Sequence, residues 1–566
     1  MSLARELADA GVDRGEPVAL VVADAGIALA WRSGQRVVPS ADPVGVVAEL
    51  ADLDPRWTWW SARETATALV AAGARPRICW DLEAVGRLIH GLRRGDAGAV
   101  WAAQHGLPEP TMPRGELDLL ELGEEDGAAV RPDGQLSREW LRGRPLRDLA
   151  AAQQWSALAL TLQGAQQELL QGLPDPRAVP RRPALAELTA TAESAAALLA
   201  VEMEQDGLPL DRTVATELLA ATIGQRPRDE AQATAQRAAR DDVVLRHFPD
   251  RRVDLRSPQQ VRPLLATVGL DLPDTRSWRL APYADSVPAV AALLDWRKAE
   301  RLATTYGWAW LDEHVGADGR LRGRWGAADA AAGRMTAQAG LHNLPAELRP
   351  AVLAEPGHVF VRADLGQVEP RVLAAVSHDD GFAAAARADD IYAPVASKLG
   401  CDRPTAKVAV LAAMYGQTSG AAGAALADMD RAFPRAMAYL RAAEQAERDG
   451  TDVRTYGGRL LRPWSGGPDA APGSGRFFRN AVIQGAAAEL FKAWAATVRD
   501  GLAPLGASIV LCLHDELLVH VPDQSATAVR DLLHQGLDST VSWWAAGSGV
   551  RFVADVAVGR SWADAR

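Results

Sequence analysis

Three short stretches, far apart in the chain, constrain this sequence more than anything else in it. The run His358-Val-Phe-Val-Arg-Ala-Asp364 alternates like a β-strand and ends on an acid. Ser508 to Leu513 and Leu517 to Val521 are two further strand-like runs, parted by His514-Asp515-Glu516. Between these regions lies Arg403-Pro-Thr-Ala-Lys407, followed by Leu411 and Tyr415-Gly416. A spacing of four sets Arg403, Lys407, Leu411 and Tyr415 along one face of a helix. A carboxylate at the C-terminal end of a strand, facing a cleft, suits a metal ligand. Two cations one turn apart repel each other unless an anion sits between them. Carboxylates able to hold metal ions, opposed by Arg and Lys able to hold a polyphosphate, are what in-line phosphoryl transfer requires.

Each stretch also has a plainer reading. An Asp at a strand-to-helix junction is more often a helix cap, and Asp is favoured in turns. Arg and Lys at helical spacing commonly form a solvated face. Only the three stretches taken together outweigh these readings.

In this order they resemble motifs A, B and C of the family A DNA polymerases, the bacterial polymerase I family. Asp364, Gln367, Glu369 and Arg371 fit the motif A pattern D-x-x-Q-x-E-x-R. The resemblance implies that Asp364 and Asp515 hold two Mg2+ ions, with Mn2+ as a substitute. It gives Glu516 an outer or weaker metal role and has Lys407 protonate the leaving pyrophosphate, so the implied catalytic residues are Asp364, Asp515, Glu516 and Lys407. It also implies a nucleotide site of Arg403, Lys407, Leu411, Tyr415, Gln367, Glu369 and Tyr392, in which Glu369 blocks a ribose 2′-OH and hydrogen-bonds Tyr415. Further segments match: Gly333-Arg334-Met-Thr336, Leu341-His-Asn343-Leu-Pro345, the basic helix end at Arg297 and Arg301, and Arg476-x-x-x-Asn480-x-x-x-Gln484-Gly485 with Lys492 beyond. They imply DNA contacts by Arg297, Arg301, Arg334, Asn343, Arg476, Asn480 and Gln484, with His514 at the primer end. Departures exist. Leu365, Gly366 and Pro370 replace the usual Tyr, Ser and Leu, Leu411 replaces an aromatic residue, and Tyr392 stands where a phosphate-binding His is common.

The implied fold is an α/β multidomain chain with an α+β palm. It is a right-hand polymerase of palm, fingers and thumb, preceded by a ribonuclease H-like, exonuclease-type domain. The expected boundaries are 1–172 for the exonuclease-like domain and 173–184 for a linker, read from the Pro-rich run Leu173 to Pro183. Residues 185–320 would form the thumb and the start of the palm, and 321–385 the palm with motif A. Residues 386–495 would be the fingers with motif B, and 496–566 the palm with motif C. Leu185 to Gln205 reads as a long helix, Ser257-Pro258 as a helix start, and Val287 to Trp308 as a second long helix.

Bulk properties are compatible with this reading. At 566 residues the chain is too long for one core, and 48% apolar with 23% charged residues is ordinary for a soluble protein. Three cysteines without paired spacing suit a reducing compartment and no structural zinc. The N-terminus lacks a secretion signal and no apolar run spans a membrane, so a cytoplasmic monomer without a membrane partner is expected. A net charge of −11 is unusual for a partner of nucleic acid. Phosphate recognition needs only local cations, and Arg297, Lys298, Arg301, Arg320, Arg322, Arg324 and Arg334 offer them. A solvated basic face is the plain alternative.

The N-terminal third resembles an exonuclease that has lost its acids. The family's exonuclease needs D-x-E, a central Asp and Y-x-x-x-D, yet none of the first 282 residues is Tyr. The helix read over Leu149 to Leu170 holds no Asp. The one tempting match, Asp81-Leu-Glu83, better resembles a later strand-to-helix segment of that fold. The 5′-nuclease region of full-length polymerase I is not expected here. The resulting reading is a DNA-templated DNA polymerase in replication or repair, with primer–template DNA and dNTPs as partners and no proofreading. A single-subunit RNA polymerase and a DNA-binding relic without catalysis stay open as alternatives. Glu369 and Glu516 speak against the first, and retention of Asp364, Asp515, Arg403 and Lys407 against the second.

Overall fold

Pro17-Val-Ala-Leu-Val-Val-Ala23 is apolar at nearly every position, as a strand buried on both faces must be. In the computed structural model, which describes residues 2–110, 127–248, 252–328, 331–416, 421–463 and 475–565, it forms β1 (Pro17–Ala23). A two-residue turn at Asp24-Ala25 leads into antiparallel β2 (Gly26–Trp31), and β3 (Gly34–Pro39) pairs beyond it. β4 (Arg56–Trp59) and β5 (Cys79–Asp81) join in parallel, giving a mixed sheet of order β3-β2-β1-β4-β5. Parallel neighbours need a crossover, and the helix Ala62–Ala71 supplies it. α1 (Leu82–His90) follows β5 directly, and α2 (Leu149–Gln171) lies on β1 and β2. There Trp60 stacks on Trp155 with ring centres 4.1 Å apart.

α3 (Leu185–Asp206) packs on β5 and also touches a second sheet. That sheet is built from β6 (His358–Leu365), which leads through α4 (Val368–Val376), α5 (Tyr392–Leu399), α6 (Arg403–Tyr415) and α7 (Arg476–Leu502) to β7 (Ser508–Leu513) and β8 (Glu516–Pro522). After α8 (Ala526–Trp544), β9 (Ala554–Gly559) closes the order β7-β8-β6-β9. Every strand and helix expected around the three motifs is present. β6 alternates as its sequence suggests: Val361, Ala363 and Leu365 are buried, and Arg362 and Asp364 share the other, half-open face.

α7 has 27 residues, roughly 40 Å at 1.5 Å per residue. It is apolar almost all round and correspondingly buried, against α3 on one side and α8 on the other. Lys492, expected to lie beyond a DNA-facing motif, is instead a core cation. Its ammonium donates to both carboxylate oxygens of Glu193 on α3 at 2.9 and 2.8 Å, and Arg459 lies 2.6 Å from the same group. All three side chains are buried.

Two compact units result. The first holds Met1–Asp206, Arg324–Thr336 and Gly357–Val558; the second holds Gly207–Gly323, Ala337–Pro356 and Gly559–Arg566. The division thus falls after Asp206, and the Pro-rich run at 173–183, read as an interdomain linker, lies inside the first unit. Arg177 explains why. Its buried guanidinium pairs with Asp175 and donates to the carbonyls of Trp543, Arg181 and Pro183, tying the segment to α8. The second unit is mostly helical, with Val244, Phe248, Val261, Leu264, Val290, Leu293 and Trp296 in its core. The helix read over Val287 to Trp308 forms as Pro288–Thr305, and a further helix, Trp308–His314, starts after a break at Tyr306-Gly307.

Candidate active site

Strand register assembles the acidic end of the second sheet. β6 and β8 run antiparallel with Asp364 opposite Glu516, and β7 pairs Leu513 with Glu516. His514-Asp515 is therefore a two-residue turn, and the Leu365 backbone N–H donates to the Asp515 carbonyl at 3.0 Å. The sequence places Asp364 and Asp515 151 positions apart, and the sheet makes them neighbours. Burial, together with the charge of Asp515, pushes the Asp364 carboxyl up to about 6. Burial also raises that of Asp515. Two backbone conformations at this end are costly: Gln367 and His514 have φ of 55° and 57°, a region that favours glycine or asparagine. The first turns the chain sharply from β6 into α4, and the second makes the tight hairpin that exposes His514. Burial and the nearby Arg334 hold the His514 imidazole below the usual histidine range.

Hard oxygen donors on a half-open face form a set that suits Mg2+. Asp364, with a side chain 34% exposed, and Asp515 fit that description. Glu516 differs. Its side chain is 7% exposed and lies 2.8 Å from Arg362, so in this arrangement it is nearly buried and held by a cation.

Contacts running from α4 to α6 link the acids to the cationic helix. Glu369 accepts from Arg334 at 2.5 Å and from the Tyr415 hydroxyl at 3.1 Å. Gln367 donates to Asp390 at 3.0 Å and accepts from the Ile391 N–H at 2.9 Å. Asp390 in turn takes Arg403, at 2.6 and 3.1 Å. α6 begins where Asp402 caps it, accepting from the Thr405 N–H at 2.8 Å, and ends at Gly416 with φ +65°. Arg403 and Lys407 are both exposed on this helix, and Lys407 makes no ion pair among the described residues. Leu411 is half-buried and Tyr415 exposed. Tyr392, read as a phosphate-side residue, is buried with the Arg403 guanidinium 5.6 Å over its ring. Arg371, part of the motif A pattern, is wholly buried and donates to five carbonyls, those of Gly366, Ala386, Ala388, Asp389 and Arg551. It braces the loop that carries Asp390 and does not face the site.

The basic residues read as a DNA face are largely committed elsewhere. Lys298 pairs with Asp295, Arg320 with Glu355, Arg322 with Asp318 and Arg334 with Glu369. Arg297 is half-buried and bound to Thr275 through its carbonyl and hydroxyl. Arg301 is exposed and donates to the Asn343 carbonyl at 2.8 Å, leaving the Asn343 side chain at the surface. On α7, Arg476 is exposed, Gln484 is half-buried, and the Asn480 side-chain oxygen is buried without a hydrogen-bond partner among the described residues.

In the N-terminal sheet, Asp81 is a helix cap. It accepts from the N–H groups of Ala84 and Ala62 at 2.8 and 2.6 Å and is 2% exposed. With Glu83 it lines a cavity of about 180 Å³ that also holds Arg63, Arg87 and Arg324. Burial lifts Asp81 to about 6 and Glu83 well above the carboxylate range. Three residues at the motif A–C site escaped the sequence reading. Arg362 sits two residues before Asp364, Asp390 joins Gln367 to Arg403, and Asp555 on β9 adds its charge to that felt by Asp364. Strand alternation held a signal for Arg362; the others depend on pairing across the fold.

The family described as DNA polymerase family A matches residues 228–564, more than half of the chain. The chain is 32% identical over 287 residues to DNA polymerase I of Chloroflexus aurantiacus, covering 44% of this chain and 30% of that one. It is 28% identical over 315 residues to thermostable DNA polymerase I of Thermus filiformis, covering 49% and 37%. Against DNA polymerase I of Mycobacterium tuberculosis it is 27% identical over 406 residues, covering 64% and 43%. These matches therefore span 30 to 43% of the relatives' own length. The solved POL domain of Pol1 from M. smegmatis, in complex with DNA primer–template and dNTP, has the same fold. It superposes with a TM-score of 0.67 at 21% identity, covering 100% of this chain and 98% of that one. The chain belongs to DNA polymerase family A.

Proposed function

We propose that this chain is a DNA-templated DNA polymerase that adds dNTPs to a primer 3′-OH, acting on primer–template DNA in replication or repair. One observation carries the reading. A continuous set of contacts joins the strand of Asp364, through Gln367 and Asp390, to Arg403, and through Glu369 to Tyr415. These contacts support reading motifs A and B as parts of one site, with Asp364 near the end of β6 and Asp515 in the turn between β7 and β8. Two Mg2+ ions, when bound, lower the pKa of the primer hydroxyl and neutralise charge on the phosphates. Asp364 and Asp515 are the side chains that would hold them.

The remaining roles belong to the chain's own residues. Arg403 binds the triphosphate by exchanging Asp390 for phosphate oxygens, a swap of one charge-assisted partner for another. Lys407, exposed one turn on, donates a proton to the departing pyrophosphate. Glu369, fixed by Arg334 and Tyr415, fills the space a ribose 2′-OH would need. Asn480 and Gln484 face the template, and His514 the primer terminus. In this reading 1–172 is a degenerate exonuclease-like domain, 185–320 the thumb and start of the palm, 386–495 the fingers, and 321–385 with 496–566 the palm.

Purified protein with Mg2+, primed template and dNTPs should extend the primer as the template dictates, and NTPs should be used far less well. Extension without a template, or a preference for NTPs, would contradict the reading. The relic alternative draws support from one feature, the contact of Arg362 with two site acids. Failure to extend under any divalent ion would favour it.

A further inference from the structure

Arg362 and Asp364 occupy the same face of β6, two residues apart, and β8 sets Glu516 opposite Asp364. A single guanidinium nitrogen, Nη2, lies 2.8 Å from Asp364 Oδ2 and 2.8 Å from Glu516 Oε2. This is not a loose surface pair of the kind worth almost nothing. The side chains of Arg362, Glu516 and Asp364 are 19%, 7% and 34% exposed. Asp515 and Asp555 add further negative charge around Asp364. The acidic end of the sheet thus contains its own cation, in contact with a side chain assigned to metal.

Three consequences follow from the geometry. The guanidinium screens the field that would draw a divalent ion. It also claims lone pairs on Asp364 Oδ2 that coordination would otherwise use. Its second contact claims Glu516 Oε2 as well, and releasing Glu516 would take a cation from a nearly buried carboxylate. We propose that Arg362 is a positioning residue that restrains the metal site: it holds Asp364 and Glu516 in place in the metal-free protein and weakens divalent-ion binding. Firm uptake of the ion then depends on the oxygens that a bound triphosphate brings. This rests on the reading of Asp364 and Asp515 as metal ligands.

The test is direct binding of Mn2+ to the full chain, with free ion followed by electron paramagnetic resonance. Arg362→Ala should bind Mn2+ about tenfold more tightly than wild type, the scale expected for one lost charge-assisted contact. Arg362→Lys, which keeps the charge, should stay near wild type. Arg362→Ala takes a cation from the nearly buried Glu516 and is open to misfolding, so Glu516→Gln is the background for a second comparison. The double variant Arg362→Ala/Glu516→Gln should bind about tenfold more tightly than Glu516→Gln alone. Unchanged or weaker binding in both comparisons, with binding still lost in Asp364→Asn, overturns the restraint alone. Binding that survives Asp364→Asn overturns the site assignment, and the restraint falls with it.

Discussion

Lys492 sits midway along α7 with its ammonium 2.8 and 2.9 Å from the two oxygens of Glu193. Replacing it with Met keeps the length of the stem and removes the charge. Glu193 then retains Arg459 at 2.6 Å but loses both ammonium contacts inside a core where it is 0% exposed. Hydrogen bonds to charged groups contribute about 1.5–3 kcal/mol each, and breaking a buried ion pair costs about 3–5 kcal/mol. Sparing the ammonium its desolvation offsets part of this, since burial already pulls the Lys492 pKa down to about 8. Lys492→Met should therefore cost about 3–4 kcal/mol. Urea unfolding followed by tryptophan fluorescence measures it, because Trp494 lies fully buried two residues away. Glu193→Gln should cost at least as much, because it also strips the buried Arg459 of its carboxylate, and the two losses should not add, since these groups are coupled neighbours. Affinity for duplex DNA should keep its salt dependence, whereas losing a phosphate contact lowers the slope of log K against log salt by about 0.9. Wild-type stability combined with such a drop in slope would place Lys492 on the DNA and refute the core assignment.

Three more outcomes are expected. Asp364 has its carboxyl raised from 3.8 to about 6, so folding favours its protonated form; its charge costs stability as pH climbs through that window, and the cost persists above it. Asp364→Asn should accordingly raise the thermal midpoint of metal-free protein at pH 8 but not at pH 3.5, and equal shifts at both would count against the raised carboxyl. Glu369→Ala removes a partner from both Arg334 and Tyr415 and should raise NTP use relative to dNTP by about tenfold, a difference of ~1.4 kcal/mol; an unchanged ratio would disprove the gate. A mismatched primer 3′ end given Mg2+ and no dNTP should stay intact, and steady shortening that disappears in Asp81→Ala would reveal a working exonuclease.

What the sequence made legible was whatever has a local cause. Period-two alternation announced β6, two apolar runs around His514-Asp515-Glu516 announced the hairpin of β7 and β8, and spacing of four announced the face of α6. Pro404 suits the first turn of that helix and Gly416 its end, whereas the cap by Asp402 came from the structure. Less legible were features set by partners far along the chain. The role of Lys492 depends on Glu193, 299 residues away, and only the packing of α7 on α3 reveals it. The same holds for the basic run. Arg320 and Arg322 look alike in sequence, yet one is claimed by Glu355 and the other by Asp318. Arg371 matches a motif letter while serving to brace a loop, since motif spacing cannot distinguish a residue that meets substrate from one that supports its neighbours. Arg362 escaped because its importance arises from strand register, which places one guanidinium between acids of two strands.

In the proposed function, Asp364 and Asp515 together make the chemistry possible. Single-turnover primer extension, with duplex affinity measured alongside, tests it most directly in Asp364→Asn and Asp515→Asn. Both variants should bind primed DNA within a few-fold of wild type and lose extension by at least about 10³-fold, more than 4 kcal/mol of transition-state stabilisation. Extension by either variant at close to the wild-type rate would show that this pair of carboxylates does not hold the metal ions.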